Sequence, residues 1–550
     1  MNIVYFLLNN FFNEEKTNIF LMVLTSFIIN ILQTNGISYI NAIIIDSLEN
    51  NKTNITIRFF QYFIFISILY LLLYNLYKYF QNKLLTKLRQ WMRHQITKIL
   101  LLVNNENFSE INFVKLNSPI NRISSVSFMV FNDVVAYILP NISFLLIVSI
   151  FFLFENLFLG GIFIMGNIFI FLYLYLNWEN MLDHNEEYEK YVNANEFYLL
   201  EILNNIDKII YRGQVNNEID IFANKTNKSI NVAFQFYSNT NYHGIMMNIL
   251  LYLLIFICIG YVIYIKLQGK ISITIFTTIF TIIILYRDKM SAIIQQIPDF
   301  IEFLGRSDSV LKQFKNMEKD YLDVINRKYP SADLVFKNIR FENLSFKYKT
   351  NQHSLFENLN IQLKTENKII GITGLSGNGK STFVKLIMKL YKPDRGKIYI
   401  DEQDIENIDA NYIRKHITYV NQNSKLFDKK VIENLLYGCN DTKQCNNHLN
   451  EIMQYPKIAE LYKSMDIYHK QSGSLGENLS GGQRQVVNMI SGFINPSKIL
   501  ILDEPTNALD PELKKEILGL IKDFKKYKQC IIIITHDRDV YPLFDETIHI

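Results

Sequence analysis

Six long apolar runs separated by polar stretches dominate the chain as far as about residue 290: 19–45, 59–77, 134–154, 156–178, 244–265 and 271–286. A helix needs roughly 20 apolar residues to cross the hydrocarbon core of a bilayer. Five runs meet that without an internal charge. The sixth is short, but Lys270 and Arg287 flank it and can reach the two interfaces. The pattern therefore predicts an all-α transmembrane domain of six spans over 1–325. Residues 1–12 (MNIVYFLLNNFF) lack a basic region and a small-residue cleavage site, so an interfacial helix is expected there rather than a signal peptide.

The connections between the runs alternate in length. On one side they are short, and Glu155 and Asn156 alone turn the third run into the fourth. On the other they cover 78–133 and 179–243 and keep apolar positions at three and four residue spacing, as in LLTKLRQWMRHQITKILLL and NEFYLLEILNNIDKIIY. Span helices that continue well beyond the membrane are expected, returning through turns near 105–112 and 193–201. These long connections hold 13 Lys and Arg residues against Lys52, Arg58, Lys266 and Lys270 on the other side. That bias places the long connections and the N-terminus inside.

Past Arg287 a helical tail runs to Ile325, and a linker at 326–333 contains Pro330. From 334 to 550 short strands alternate with helical stretches: LVFKNIRFENLSFKY, NKIIGIT, KIYIDEQ, HITYV, KILILDE and QCIIIITHD. This alternation predicts an α/β domain with a mostly parallel sheet.

Composition now falls into place. A mean hydropathy of +0.07 averages a membrane half with a soluble half. With 56 Lys and Arg against 52 Asp and Glu the net charge is +4, too mild for a nucleic-acid partner. The cysteines, Cys258, Cys439, Cys445 and Cys530, are scattered without CxxC or zinc-type spacing. They are expected as free thiols in a reducing compartment. Asn30, Gln33, Asn35, Asn141 and Asn167 are candidates to line a polar path through the spans.

Chemistry concentrates in the α/β half. The apolar strand IIGIT runs into GLSGNGKST, and a helical TFVKLIMKL follows. The spacing GxxxxGK[ST] from Gly374 to Ser381 suits a phosphate loop. Glycines let backbone N–H groups curl around phosphate oxygens, Lys380 reaches the terminal phosphates and Ser381 can ligate magnesium. ILILDEP is an apolar strand ending in Asp503 and Glu504, which can hold magnesium beside the γ-phosphate and set a carboxylate by the attacking water. Between them lies LSGGQRQ (Leu479–Gln485), and IIIITHD places His536 at the end of another strand.

The ordered set GLSGNGKST, YVNQNSKLFD, LSGGQRQ, ILILDEPTNALD and IIIITHD resembles the nucleotide-binding domain of ATP-binding cassette (ABC) transporters. Six spans with long inner loops ahead of it look like a half-transporter with the exporter-type transmembrane fold. The resemblance implies an α/β P-loop NTPase domain, with ATP and Mg2+ as ligands and ATP hydrolysis driving transport, export being expected. An ATP-gated channel or regulator, or an importer with the exporter fold, is the alternative.

Residue by residue, the resemblance implies that Gly374, Leu375, Ser376, Gly377, Asn378, Gly379, Lys380, Ser381 and Thr382 cradle the phosphates. Tyr348 would stack on adenine, and Ser381, Gln422 and Asp503 would serve the metal. Glu504 would be the general base, with His536 and Gln422 at the γ-phosphate and the attacking water. Ser480 and Gly482 would close over the γ-phosphate of ATP held by a second cassette, with Gly481 and Gln483 of the same signature among the nucleotide-binding residues, and Asp510 fits the D-loop. One chain carries one cassette, so a second half-transporter chain is implied; a homodimer is the simplest form and a heterodimer the other. The implied location is a multi-pass position in a lipid bilayer with the cassette cytosolic. The transported substrate is left open. GSLGEN ahead of the signature is shorter than the exporter pattern, and the chain ends at DETIHI, where family members usually continue.

Overall fold

The computed structural model describes residues 3–104, 125, 127–129, 131–313, 317–330, 333–348, 353–375, 377–422, 425–439, 441–507 and 509–550. These form two compact units that divide near residue 320. The turn expected near 105–112 lies outside the described residues.

The first unit is helical. A short helix α1 (Ile3–Glu14) precedes α2, which runs from Lys16 to Ile31, through a π-helical turn at Leu32–Ile37, and on over Ser38–Glu49. Then follow α3 (Thr53–Asn104), α4 (Leu139–Glu155, entered through a π-helical segment Phe131–Ile138) and α5 (Leu157–Asn204). The remainder are α6 (Ile206–Tyr211), α7 (Val215–Leu267), α8 (Ile273–Gln313) and α9 (Met317–Asn326), the last grouped largely with the second unit.

Among the described residues five helical stretches are long and apolar enough to cross a membrane: Lys16–Glu49, Thr53–Val103, Ser127–Glu155, Leu157–Asn204 and Val215–Leu267. The sixth expected run lies in α8, where Arg287, Asp288 and Lys289 follow the apolar stretch so closely that it falls short of the same measure. Outward faces are apolar: Phe65, Ile68, Leu72 and Phe256 each expose more than half of their surface. In water such a surface would be a liability; in hydrocarbon it is at home. Inside, α4, α5, α7 and α8 share a core around Phe144, Phe163, Leu251, Ile283 and Tyr286.

One expectation changes. Helix α5 does not turn back at 193–201 but continues to Asn204, and the reversal occupies 205–214 around α6. Leu199, Leu200 and Leu203 keep the helical pattern going to Asn204, where Asn205 caps it, and Gly213, with φ +64°, is the left-handed residue that follows the short α6. Two of the asparagines picked out for a polar path bond to neighbouring helices. Asn30 Nδ2 donates to the Pro140 carbonyl at 2.7 Å and to Ser143 Oγ at 2.8 Å, joining α2 to α4. Asn167 Oδ1 accepts from Tyr286 Oη at 2.8 Å, joining α5 to α8. Asn141 is likewise buried, whereas Asn35 is exposed and Gln33 half-buried.

Among its described residues the second unit contains two sheets. An antiparallel one is built from β1 (Asn338–Phe346), β2 (Phe356–Lys364), β4 (Arg395–Ile400) and β5 (Gln403–Asp404), in the order β2-β1-β4-β5. The parallel one contains β3 (Lys368–Thr373), β6 (Ile417–Val420), β7 (Ile499–Asp503), β8 (Cys530–Ile534) and β9 (Glu546–His549), in the order β6-β7-β8-β3-β9. Strands β1 and β4 thus leave the expected parallel sheet for one of their own. Strand β2 went unread because FENLNIQLK buries only its two ends among polar residues.

Helices α10 (Lys380–Ile387), α11 (Ala410–His416), α12 (Val431–Leu435), α13 (Thr442–Ile452), α14 (Pro456–Met465), α15 (Gly481–Ile494) and α16 (Pro511–Phe524) complete the unit. Successive strand residues point to opposite faces, and both faces of the parallel sheet are buried. Leu500 and Leu502 of β7 join a core with Val487, Ile490 and Phe493 of α15. Ile499 and Ile501 join a different core with Phe383, Val384 and Leu386 of α10. The two helices that open on the loop and signature motifs therefore sit on opposite faces of one sheet.

Cys439 and Cys445 are joined by a disulfide, which corrects the expectation of four free thiols; Cys258 and Cys530 are free and buried. Asp441 caps α13 by accepting from Gln444 N at 3.0 Å, and this reversal brings the two Cα atoms to 6.6 Å. Sequence spacing does not reveal such a turn.

Away from the strand ends that carry the motifs, Lys528 is buried just ahead of β8, and its ammonium donates to the Asn495 and Ser497 carbonyls. Burial pushes it down to about 7. Because the unfolded chain keeps that proton to higher pH than the folded one, the stability of this unit should rise as pH increases from 7 toward the ordinary lysine range. The stability difference between Lys528→Met and wild type should accordingly move in favour of wild type by about 2 to 3 kcal/mol between pH 6 and pH 9. Unfolding of the full chain in detergent at a series of pH values reads this. A difference that does not change with pH would mean that Lys528 stays charged in the fold.

Candidate functional site

The parallel strands share a direction, so their C-terminal ends lie along one edge, where open α/β sheets bind ligands. Strand β3 runs into Gly374, β7 ends on Asp503, β8 runs into Thr535 and His536, and β6 leads two residues later to Gln422. The residues picked from the sequence for phosphate, metal and base chemistry are thereby gathered on one edge from four strands.

Within the loop, Gly377 and Gly379 have φ of +90° and +92°, a region open to glycine and costly for other residues. Gly379 caps α10, so the first N–H groups of that helix face the loop. Lys380 Nζ donates to the Gly374 and Leu375 carbonyls at 3.1 and 3.0 Å. Leu375 is exposed, Asn378 borders the loop, and Ser376 lies outside the described residues. Thr382 is buried and its Oγ1 lies 2.5 Å from Tyr348 Oη. Tyr348 is half-buried, edge-on to Phe346 and Tyr391 at 5.1 and 5.6 Å.

Asp503 is buried, and its Oδ2 accepts from Ser381 Oγ at 2.8 Å and from Tyr419 Oη at 2.7 Å. Burial holds its carboxyl above the usual range, against the lowering effect of these two bonds. Burial, with the Asp503 charge beside it, pushes the Tyr419 phenol well up, so this hydroxyl remains a donor. Ser381 and Asp503 offer hard oxygen ligands side by side. No group of three or more His, Cys, Asp or Glu able to hold a metal occurs among the described residues. That donor set fits magnesium, which takes one or two protein oxygens and completes its shell with phosphate and water.

Glu504 follows directly with φ +51°, in the left-handed region, and its N–H donates to the Ile534 carbonyl at 2.8 Å. Its carboxylate is buried and held on both oxygens: His536 Nδ1 lies 2.7 Å from Oε1, and Thr535 Oγ1 lies 3.2 Å from Oε2. The imidazole is 69% exposed, which leaves Nε2 open to solvent. Gln485, from the first turns of α15, donates to the Glu504 and Pro505 carbonyls at 2.9 and 3.1 Å. A base oriented by two side chains and anchored through its backbone suits proton abstraction from water.

The signature forms the start of α15. Ser480 Oγ accepts from Gln483 N at 3.3 Å while Gln483 Oε1 accepts from Ser480 N at 2.9 Å, a reciprocal capping box. Ser480 and Gly481 are exposed, Gly482 half-buried. Ahead of them, Gly473, Leu475 and Gly476 all have positive φ, and Arg484 clasps the Gly476 and Leu479 carbonyls at 3.1 and 2.8 Å. The shortened GSLGEN segment is thus a tight turn tied to the signature helix. Asp510 caps α16 by accepting from Leu513 N at 3.0 Å, and Gln422 is exposed on the turn after β6.

Sequence reasoning missed Tyr419, Gln485 and Thr535. The motifs around them were read, but what each side chain touches depends on strand order and helix placement. Only the position of Tyr419 ahead of Gln422 could have raised it.

A family model for the ABC transporter matches residues 356–507. A Rickettsia typhi protein named as an export ATP-binding/permease protein is 33% identical over 222 residues, which is 40% of this chain and 38% of that one. The alpha-hemolysin translocation ATP-binding protein HlyB of Escherichia coli O6:H1 is 33% identical over 200 residues, 36% of this chain and 27% of that one. The chain thus spans less than two fifths of the length of these curated relatives. Among solved structures, a bacterial Atm1-family ABC exporter with ATP bound superposes with a TM-score of 0.78, covering 98% of this chain and 93% of that one at 19% identity, a likeness of fold. Residues 356–507 thus match the ABC transporter family, and the chain as a whole shares the fold of that exporter structure.

Proposed function

We propose that this chain is one half of an ATP-driven membrane pump that exports its substrate and hydrolyses ATP at a site completed by a second chain. The observation that carries the reading is the strand edge where the glycine loop, Ser381 with Asp503, and Glu504 with His536 meet. In this reading Lys380 moves from the loop carbonyls to the terminal phosphates. Ser381, Gln422 and Asp503 serve magnesium, which when bound neutralises charge on the phosphate oxygens. Glu504 takes the proton of the attacking water, and His536 orients Glu504 and faces the γ-phosphate. Tyr348 is the candidate for adenine.

The need for a second chain follows from where the signature sits. Ser480 and Gly481 are exposed at the start of α15, on the face of the sheet opposite to the loop helix α10. Exposed helix N-termini attract phosphate, and the phosphate they would meet is that of another cassette. Asp510 would shape the loop between the two. A homodimer satisfies both sites with one sequence. The apolar outer faces of the helical unit call for a multi-pass position in a bilayer, and the Lys and Arg bias puts the cassette in the cytosol.

The reading is tested by Mg2+-ATP turnover of the full chain in lipid nanodiscs across lipids, peptides and amphipathic drugs. At least one class is expected to raise turnover several-fold, since substrate binding and hydrolysis are coupled in a pump. Turnover indifferent to every class, together with ATP-gated single-channel currents, would overturn it in favour of a channel.

A further inference from the structure

Two hydroxyls converge on the same oxygen of Asp503, and only one is called for by the magnesium reading. Ser381 belongs to the phosphate loop. Tyr419 belongs to β6, where it pairs in register with Ile501. Asp503 stands two residues beyond Ile501, so it shares that face of the sheet, the one against which α10 and Ser381 pack. The Tyr419 ring fills part of this core. Packing there needs the ring and makes no use of the hydroxyl, yet the hydroxyl reaches Asp503 Oδ2 at 2.7 Å.

The consequence appears when magnesium is considered together with its ligands. Ser381 Oγ can turn a lone pair to the ion and still donate its single proton to Asp503, but that one bond leaves the carboxylate free to swing about it. A buried carboxylate held by one donor alone would be less firmly oriented and less well solvated than one held by two. Tyr419 supplies a second donor that does not belong to the loop. We infer that Tyr419 is a positioning residue for magnesium, its hydroxyl holding the Asp503 carboxylate in the orientation that receives the ion beside Ser381. The same strand leads to Gln422 three residues later, so occupancy of the metal site is tied to the turn that carries the expected sensor.

This inference rests on the proposed binding of magnesium with ATP. Its test is Mn2+ binding by the full chain in nanodiscs with a non-hydrolysable ATP analogue, followed by electron paramagnetic resonance, for wild type, Tyr419→Phe and Tyr419→Leu. One charge-assisted hydrogen bond lost corresponds to about tenfold weaker Mn2+ binding in both variants. In steady-state turnover the Mg2+ concentration for half-maximal rate should rise by a similar factor, more than the maximal rate falls. Wild-type Mn2+ affinity in Tyr419→Phe would overturn the inference, and weakness confined to Tyr419→Leu would assign the residue to packing alone. If wild type itself shows no nucleotide-dependent Mn2+ binding, the magnesium reading fails and takes this inference with it.

Discussion

Glu504→Gln is expected to lower Mg2+-ATP turnover by about 10²- to 10⁴-fold, the usual worth of a positioned general base, while ATP binding persists. The substitution is nearly isosteric. The backbone features that shape the turn, the Glu504 N–H on the Ile534 carbonyl and the Glu504 carbonyl under Gln485, do not involve the side chain and should survive. His536 and Thr535 would still have an amide oxygen and an amide nitrogen to meet. Binding, by contrast, is assigned to the loop glycines, Lys380 and Ser381, which the change does not touch. The variant should therefore hold ATP without consuming it, read as retained nucleotide in an equilibrium binding assay beside a flat phosphate-release trace. Turnover equal to wild type would remove Glu504 from the role of base.

Much of this site was legible because its residues sit at the ends of short, strongly apolar strands. IIGIT, ILILD and CIIII are buried on both faces, and each runs straight into the residue that matters, Gly374, Glu504 or Thr535. A parallel sheet brings such ends to one edge whatever its strand order. The partners of those residues were not legible. Thr535 and Gln485 reach Glu504 only because β8 lies beside β7 and α15 packs across the same sheet. The fold shows the same division. Long apolar helices announced themselves, whereas the end of α5 was misplaced because helical periodicity outran the expected turn until Asn205. Strand β2 was hidden by its polar residues, and the Cys439–Cys445 bridge by the turn that Asp441 caps. Asn30 and Asn167 illustrate a further limit: polarity within a span is visible in sequence, but whether it faces a path or a neighbouring helix is decided by packing.

The second large effect concerns the pairing of two chains. The Ser480–Gln483 capping box satisfies the start of α15 and leaves Ser480 and Gly481 exposed, on the other face of the sheet from α10. A signature in that place cannot be credited with closing its own loop, and in the proposed dimer a second copy would supply the loop that it meets. ATP held without hydrolysis should then lock signature against loop across two chains. Glu477, exposed three residues before Ser480, gives a vantage point beside the signature without disturbing its cap. The most direct measurement replaces Glu477 with a photo-reactive benzoylphenylalanine in the Glu504→Gln background and illuminates the full chain in nanodiscs with and without Mg2+-ATP. The account predicts an ATP-dependent product of twice the chain mass whose adduct maps to residues 374–382. A cross-link confined to single chains, or one of the same yield without ATP, would contradict it.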